Sequence, residues 1–166
     1  TIPEICAAYN LVTQFYNSSD SEKNFQKLSK KKIISNKDTA VLHCVSEYPA
    51  PIDEANIKCI NTLINNFNCP IGYSDHCMGI AASLSAIGVG ASIIEKHFTL
   101  DRNLPGPDHK ASINCEELKE MISIIRDMES SFGSSNKNVQ NSEIKNKVII
   151  RRSIVAKKKN KKRGFI

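Results

Sequence analysis

The sequence predicts an α/β fold of about three strand–helix units on a parallel sheet. Three observations carry that prediction. Short apolar runs at 39–44, 70–74 and 91–96 are bounded by polar or turn residues, as strands buried in a sheet are. Each run is followed, directly or after a loop, by apolar residues recurring at helical spacing. The chain between successive runs is long enough for a helical crossover, which makes neighbouring strands parallel and the connection right-handed.

Taken in order, residues 1–16 open the chain as a helix. Pro3 suits a first turn, and Ile5, Ala8, Tyr9, Val12 and Tyr16 share a face. Residues 17–37 are rich in Ser, Asn and Lys and are expected to form an exposed insertion, with Lys30, Lys31 and Lys32 on a solvated face. The first strand (TAVLHC) looks buried on both faces and leads into the turn SEYPAP. Ile52, Ala55, Cys59, Ile60, Leu63 and Phe67 predict one helix over 52–67, and Pro70 permits the second strand.

The small apolar stretch 79–87 predicts a helix packed closely on the sheet, ended by the GVG at 88–90. After the third strand and a long loop, Asn114 and Glu117 form the sequence of a capping box. Leu118, Met121, Ile122, Ile125 and Met128 make the buried face of the helix it starts, and Gly133 stops that helix. Residues 134–146 have the composition of a linker, and the VIIRRSIVA stretch at 148–156 looks strand-like.

At 166 residues and 40% hydrophobic the chain could bury one ordinary core. It is short of the about 250 residues typical of a complete eight-stranded barrel of this class. It begins at Thr1 rather than methionine, as a segment of a longer reading frame would. There is no apolar run of the roughly 20 residues needed to cross a bilayer and no basic-then-apolar leader pattern. The six cysteines contain no C-x-x-C pair and are expected to be reduced core thiols, which points to a cytoplasmic location.

The net charge of +6 is unevenly placed: from Glu143 onward ten basic residues face one acidic residue, leaving −3 for residues 1–142. The KKKNKKR run at 157–163 has no aromatic residue until Phe165 and no recognisable recognition fold. A solvated face therefore outweighs a nucleic-acid site.

In parallel α/β sheets ligands sit beyond the carboxyl ends of the strands. Here those ends deliver His43 and Ser46, then Ser74, Asp75 and His76, then Glu95, Lys96 and His97. Strand parity puts Ser74 and His76 on one face, with Glu95 and His97 likewise, and turns Asp75 and Lys96 the other way. Adjacent strands lie about 4.8 Å apart, so imidazoles from neighbouring ends can meet on a shared ion. A lone histidine is more often structural, and the spacing by itself leaves both readings open.

The loop DRNLPGPDHKAS carries Asp101, Arg102, Asp108, His109 and Lys110 on a stiffened backbone. It is either a surface loop or a grip on substrate hydroxyls. Cys44 and Cys77 lie near the same rim and are expected to pack rather than to act as nucleophiles.

The motifs LHCVSEYPAP at 42–51, PIGYSDH at 70–76, IEKHFTLDRNLPGPDHKAS at 94–112 and, more weakly, RRSIVAKKKNKKRG at 151–164 resemble the N-acetylneuraminate (sialic acid) synthase family. Bacterial legionaminate and pseudaminate synthases are among its members. The resemblance implies the C-terminal part of a (β/α)8 TIM barrel, incomplete, over 1–133. A linker at 134–146 and the truncated start of an antifreeze-like (SAF) domain at 147–166 would follow.

It also implies a full-length parent that condenses phosphoenolpyruvate with an open-chain N-acetylhexosamine, giving a nonulosonic acid and phosphate, assisted by Mn²⁺ or Mg²⁺. The isolated segment is expected to be inactive. His76 and His97 would be the metal ligands, Asp108 and Tyr48 the catalytic contacts to the amino sugar, and Ser74 part of the phosphoenolpyruvate site. Ser46 stands where some members have a phosphoenolpyruvate-binding asparagine. Domain-swapped homodimers are implied for the parent. The alternatives are a non-catalytic, basic-tailed binding fragment or another phosphoenolpyruvate-condensing barrel enzyme.

Overall fold

The computed structural model describes residues 1–17 and 39–152. Most of the expected insertion and the basic run at 157–163 lie outside the described residues. The chain divides into two compact units, Thr1–Phe132 and Gly133–Ile166.

The first unit is a three-stranded parallel sheet in the order β1 (Val41–Cys44), β2 (Ile71–Asp75), β3 (Ile93–Lys96). Helices α1 (Ile2–Asn17), α2 (Cys59–Asn66), α3 (Ala81–Gly88) and α4 (Cys115–Phe132) accompany it. The expected strand–helix alternation and parallel pairing are both present. The sheet remains open among the described residues, with β1 and β3 each paired on one side. All five residues of β2 are buried. β1 is not buried on both faces as its apolar run suggested, because it lies at the edge of this sheet and its side chains are half-buried to exposed.

Helical periodicity located the helices better than it located their faces. In α1 the core side chains are Tyr9 and Thr13, with Ile2, Ile5 and Cys6 packed alongside, while Val12 is exposed. Tyr9 meets Phe67 edge to face at 5.3 Å, and this contact sets the rotation of the helix. The single helix expected over 52–67 is two pieces, a short 3₁₀ turn at Ile52–Glu54 and then α2. Asn56 has φ 45° between them, a left-handed conformation that no continuous helix contains. Ile52 is accordingly exposed, whereas Ala55, Ile60, Leu63 and Phe67 enter the core. Complete burial of Ile60 contributes about 1.5–3 kcal/mol.

α3 lays Ala82, Ser83 and Ala86 against the core, and its small residues allow close packing on β2 and α4. Gly90, at φ 105°, ends this helix and turns the chain toward β3. The capping box at the start of α4 is formed: Glu117 N donates to Asn114 Oδ1 and Asn114 N to Glu117 Oε2, both at 2.9 Å. Met121 and Ile125 are buried, Leu118 and Met128 pack beside them, and Ile122 departs from expectation by being exposed. Gly133 follows the helix at φ 54°.

In the second unit, α5 (Asn141–Ile144) lies within the expected linker, and α6 (Lys147–Ile150) replaces the start of the expected strand. Strand-like composition is a local signal, and without a pairing partner among the described residues it does not hold the backbone extended. The remainder of that expected strand, from Ser153, lies outside the described residues. No helix among the described residues is long and apolar enough to cross a membrane.

Candidate active site

The carboxyl ends of β2 and β3 build the site, and their register decides which side chains meet. Ser74 pairs with Glu95 and Asp75 with Lys96. Because side chains alternate, the first pair and the histidines that follow the second, His76 and His97, share one face. The imidazole rings of His76 and His97 meet edge to face with centroids 5.4 Å apart. Ser74 Oγ donates to Glu95 Oε1 at 2.6 Å, and His76 Nε2 lies 3.3 Å from the same hydroxyl.

Proton bookkeeping assigns the His76 tautomer. The Val45 carbonyl can only accept, so His76 Nδ1, 2.8 Å away, donates to it. In the neutral ring Nε2 then carries a lone pair. The single Ser74 proton is committed to the Glu95 carboxylate, so this buried nitrogen faces an oxygen lone pair rather than a donor. That is the arrangement a cation satisfies. His97, about a third exposed, has Nδ1 3.9 Å from Asp108 Oδ2. Among the described residues no group of three or more His, Cys, Asp or Glu is placed to hold a metal. A divalent ion held by the two imidazoles would draw its remaining ligands from water and substrate.

The turn after β1 folds back over this pair. Ala50 N donates to His76 O at 3.0 Å, and Ala50 and Cys77 form a parallel bridge. Tyr48, in the same turn, stacks on His76 at 4.1 Å and lies 5.3 Å from His97. Tyr48 is half-exposed, leaving its ring open to a ligand. The Asp108 loop is closed at its base by Ile113 N donating to His97 O at 2.9 Å. Arg102 pins it further, donating from Nε to Ser112 O at 3.0 Å and from Nη2 to Glu117 Oε2. That guanidinium, with the Asn114 N–H, holds the Glu117 carboxyl below the usual carboxylate range.

Of the expected site residues, the structure thus gathers Ser74, His76, His97, Tyr48 and Asp108. Ser46 lies exposed just beyond Val45. His43 falls outside the cluster, its Nε2 2.9 Å from Ala55 O and its ring 5.7 Å from Tyr73. All six cysteines are free thiols, but Cys77 alone is fully buried, while Cys44 and Cys115 are exposed. Burial pushes the Cys77 thiol up, away from nucleophilic character. Cys44 Sγ lies 3.8 Å from His76 Nδ1, whose proton the Val45 carbonyl already takes.

Residues 1–137 match the model of the NeuB family. The chain belongs to the NeuB family. It is 50% identical over 122 residues to the N,N′-diacetyllegionaminic acid synthase of Campylobacter jejuni, covering 74% of this chain and 36% of that protein. It is 39% identical over 119 residues to the N-acetylneuraminate-9-phosphate synthase of Mus musculus, covering 71% of this chain and 33% of that one. The crystal structure of N-acetylneuraminic acid (sialic acid) synthetase from Leptospira borgpetersenii, in complex with citrate, superposes with a TM-score of 0.60 at 39% identity. That match covers 69% of this chain and 41% of the other. The chain thus spans about a third of the length of the curated relatives it matches. The sialic acid synthase resemblance carried by the strand-end motifs is borne out, as are the incomplete α/β barrel and membership of a transferase family.

Proposed function

We propose that this chain forms one rim of the active site of a full-length synthase. The reaction joins phosphoenolpyruvate to the aldehyde of an open-chain N-acetylhexosamine, N-acetylmannosamine or a related bacterial sugar. C3 of phosphoenolpyruvate attacks the aldehyde carbon, water adds at C2, and the C2–O bond breaks to release phosphate and leave a nonulosonic acid. The observation that best supports this reading is the meeting of His76 and His97 at 5.4 Å on adjacent strand ends. Relatives named as nonulosonic and sialic acid synthases support the reaction class.

His76 and His97 are the residues that would hold Mn²⁺ or Mg²⁺, which when bound supplies Lewis-acid polarisation of the sugar aldehyde. The Val45 carbonyl fixes the His76 tautomer so that Nε2 points its lone pair into the site. Tyr48 and Asp108 grip the amino sugar, Tyr48 with a half-exposed ring and Asp108 with an exposed carboxylate. Ser74, and Ser46 beyond β1, belong to the phosphoenolpyruvate side.

In the full-length protein, residues 1–133 form part of the barrel, 134–146 the connection and 147–166 the start of an antifreeze-like domain. The parent acts as a domain-swapped homodimer. A cytoplasmic setting is supported by six free thiols and by the phosphorylated substrate. The isolated segment is inactive because the other rim of the phosphate site lies elsewhere in the parent.

The test is phosphate release by the full-length protein with phosphoenolpyruvate, Mn²⁺ and a panel of N-acetylhexosamines. Release that depends on one of the sugars is expected. Release with none of them contradicts the reading.

A further inference from the structure

Behind the site lies a buried ion pair to which the reaction above gives no task. Asp75 and Lys96 are register partners on β2 and β3, with side chains 0% and 3% exposed and Nζ 3.0 Å from Oδ2. Removing two charges from water costs more than their attraction returns unless further hydrogen bonds satisfy both. Here they do. Ser83 Oγ donates to Asp75 Oδ2 at 2.5 Å, Cys77 N donates to Asp75 Oδ1 at 2.9 Å, and Lys96 Nζ donates to Cys77 O at 2.8 Å.

Both halves of the pair therefore close on one residue. Asp75 holds the N–H of Cys77 and Lys96 holds its carbonyl. Cys77 directly follows His76, and Lys96 directly precedes His97. β2 ends at Asp75 and β3 at Lys96, so both imidazoles project from residues just beyond the ladder, where strand pairing no longer fixes the backbone. The backbone tethers there tie each histidine to a loop: His76 O to Ala50 N in the turn after β1, and His97 O to Ile113 N at the base of the Asp108 loop. The ion pair ties the two strand ends to each other on the face opposite the Ser74–Glu95 hydrogen bond.

We propose that Asp75 and Lys96 are positioning residues that set the spacing of the His76 and His97 imidazoles through the Cys77 peptide. The proposal rests on reading those imidazoles as metal ligands. It gives the two residues of opposite parity a purpose: they form a clamp on the hidden face of the sheet for a site on the open face.

The test uses the full-length enzyme and reads Mn²⁺ binding directly, from the electron paramagnetic resonance signal of free Mn²⁺, beside the thermal midpoint. The double variant Asp75→Asn/Lys96→Met removes both charges together, which spares the fold an unpaired buried ion. It is expected to remain folded and to bind Mn²⁺ about tenfold or more weakly, the scale at which partners behind a ligand act. Unchanged affinity in the folded double variant overturns the proposal.

Should that variant not fold, Ser83→Ala removes one contact to the carboxylate and keeps the charges. Weakened Mn²⁺ binding with a retained fold then supports the clamp, and unchanged binding overturns it. His76→Ala separates the two levels. Mn²⁺ binding lost in His76→Ala but intact in the double variant sinks the clamp alone, whereas binding intact in His76→Ala sinks the ligand reading beneath it.

Discussion

Ser74 Oγ donates a 2.6 Å hydrogen bond to Glu95 Oε1 across the β2–β3 pair. This commits the only hydroxyl proton and leaves the serine oxygen 3.3 Å from His76 Nε2. Ser74→Ala removes the oxygen that lies between the carboxylate and the imidazole. In the full-length enzyme the expected result is a loss of roughly 10- to 100-fold in Mn²⁺ affinity or in kcat/KM. Steady-state kinetics at varied Mn²⁺ measure it, and a Ser74→Ala enzyme with unaltered Mn²⁺ dependence would show that the hydroxyl has no part in the site.

This part of the site was legible because strand parity is rigid. A period of two puts Ser74 and Glu95 on one face, and His76 and His97, just beyond the paired residues, keep to it. Parity also turned Asp75 and Lys96 away from it, and the register Asp75↔Lys96 brings them together there as a buried ion pair. Parity does not reveal pairing, so the Glu95 hydrogen bond needed the register as well. Tyr48 was beyond local pattern altogether: its stacking on His76 depends on the return of the 46–51 turn, fixed by the Ala50–Cys77 bridge far along the chain. The helix faces failed for a related reason. Periodicity did not mark the left-handed Asn56 that breaks 52–67, nor the Tyr9–Phe67 contact that sets the rotation of α1.

Gly72 marks the closest approach within the sheet. A Cβ there would lie 2.7 Å from Ile93 O, 2.8 Å from Ile93 Cβ and 3.0 Å from Leu42 Cγ. Two of these obstacles are backbone-anchored atoms on the neighbouring strand, so the sheet itself must shift. Gly72→Ala is expected to destabilise the fold by about 1–3 kcal/mol, read as a lower midpoint in urea unfolding.

The alkaline limb of stability should follow Tyr73 and Cys77. Burial first, then the Cys77 contact, pushes the Tyr73 hydroxyl far above its ordinary range, and burial pushes the Cys77 thiol up. Acids with raised native pKa values favour the folded state below their unfolded pKa. That stability is lost as pH rises past about 8.5 for the thiol and about 10 for the phenol. Cys77→Ala should flatten the decline in thermal midpoint above about pH 8.5, and Tyr73→Phe the part of it above about pH 10. A decline as steep in both variants contradicts the assignment.

Asn114 anchors the helix that carries the far end of the Asp108 loop. Its side chain accepts from Glu117 N, while Glu117 accepts from Asn114 N and from Arg102. Asn114→Ala should cost about 1 kcal/mol of stability by losing the cap. Arg102→Ala leaves that cap in place and is expected to raise KM for the sugar more than KM for phosphoenolpyruvate in the full-length enzyme. Equal changes in both KM values would separate the loop from sugar binding.

The central claim is that His76 and His97, brought to 5.4 Å by adjacent strand ends, act together on one divalent ion. Sugar-dependent phosphate release by the full-length enzyme, titrated with Mn²⁺, tests it most directly. His76→Ala and His97→Ala should each abolish the response to Mn²⁺ while the protein stays folded. Titration curves that coincide with the parent's in both variants would contradict it.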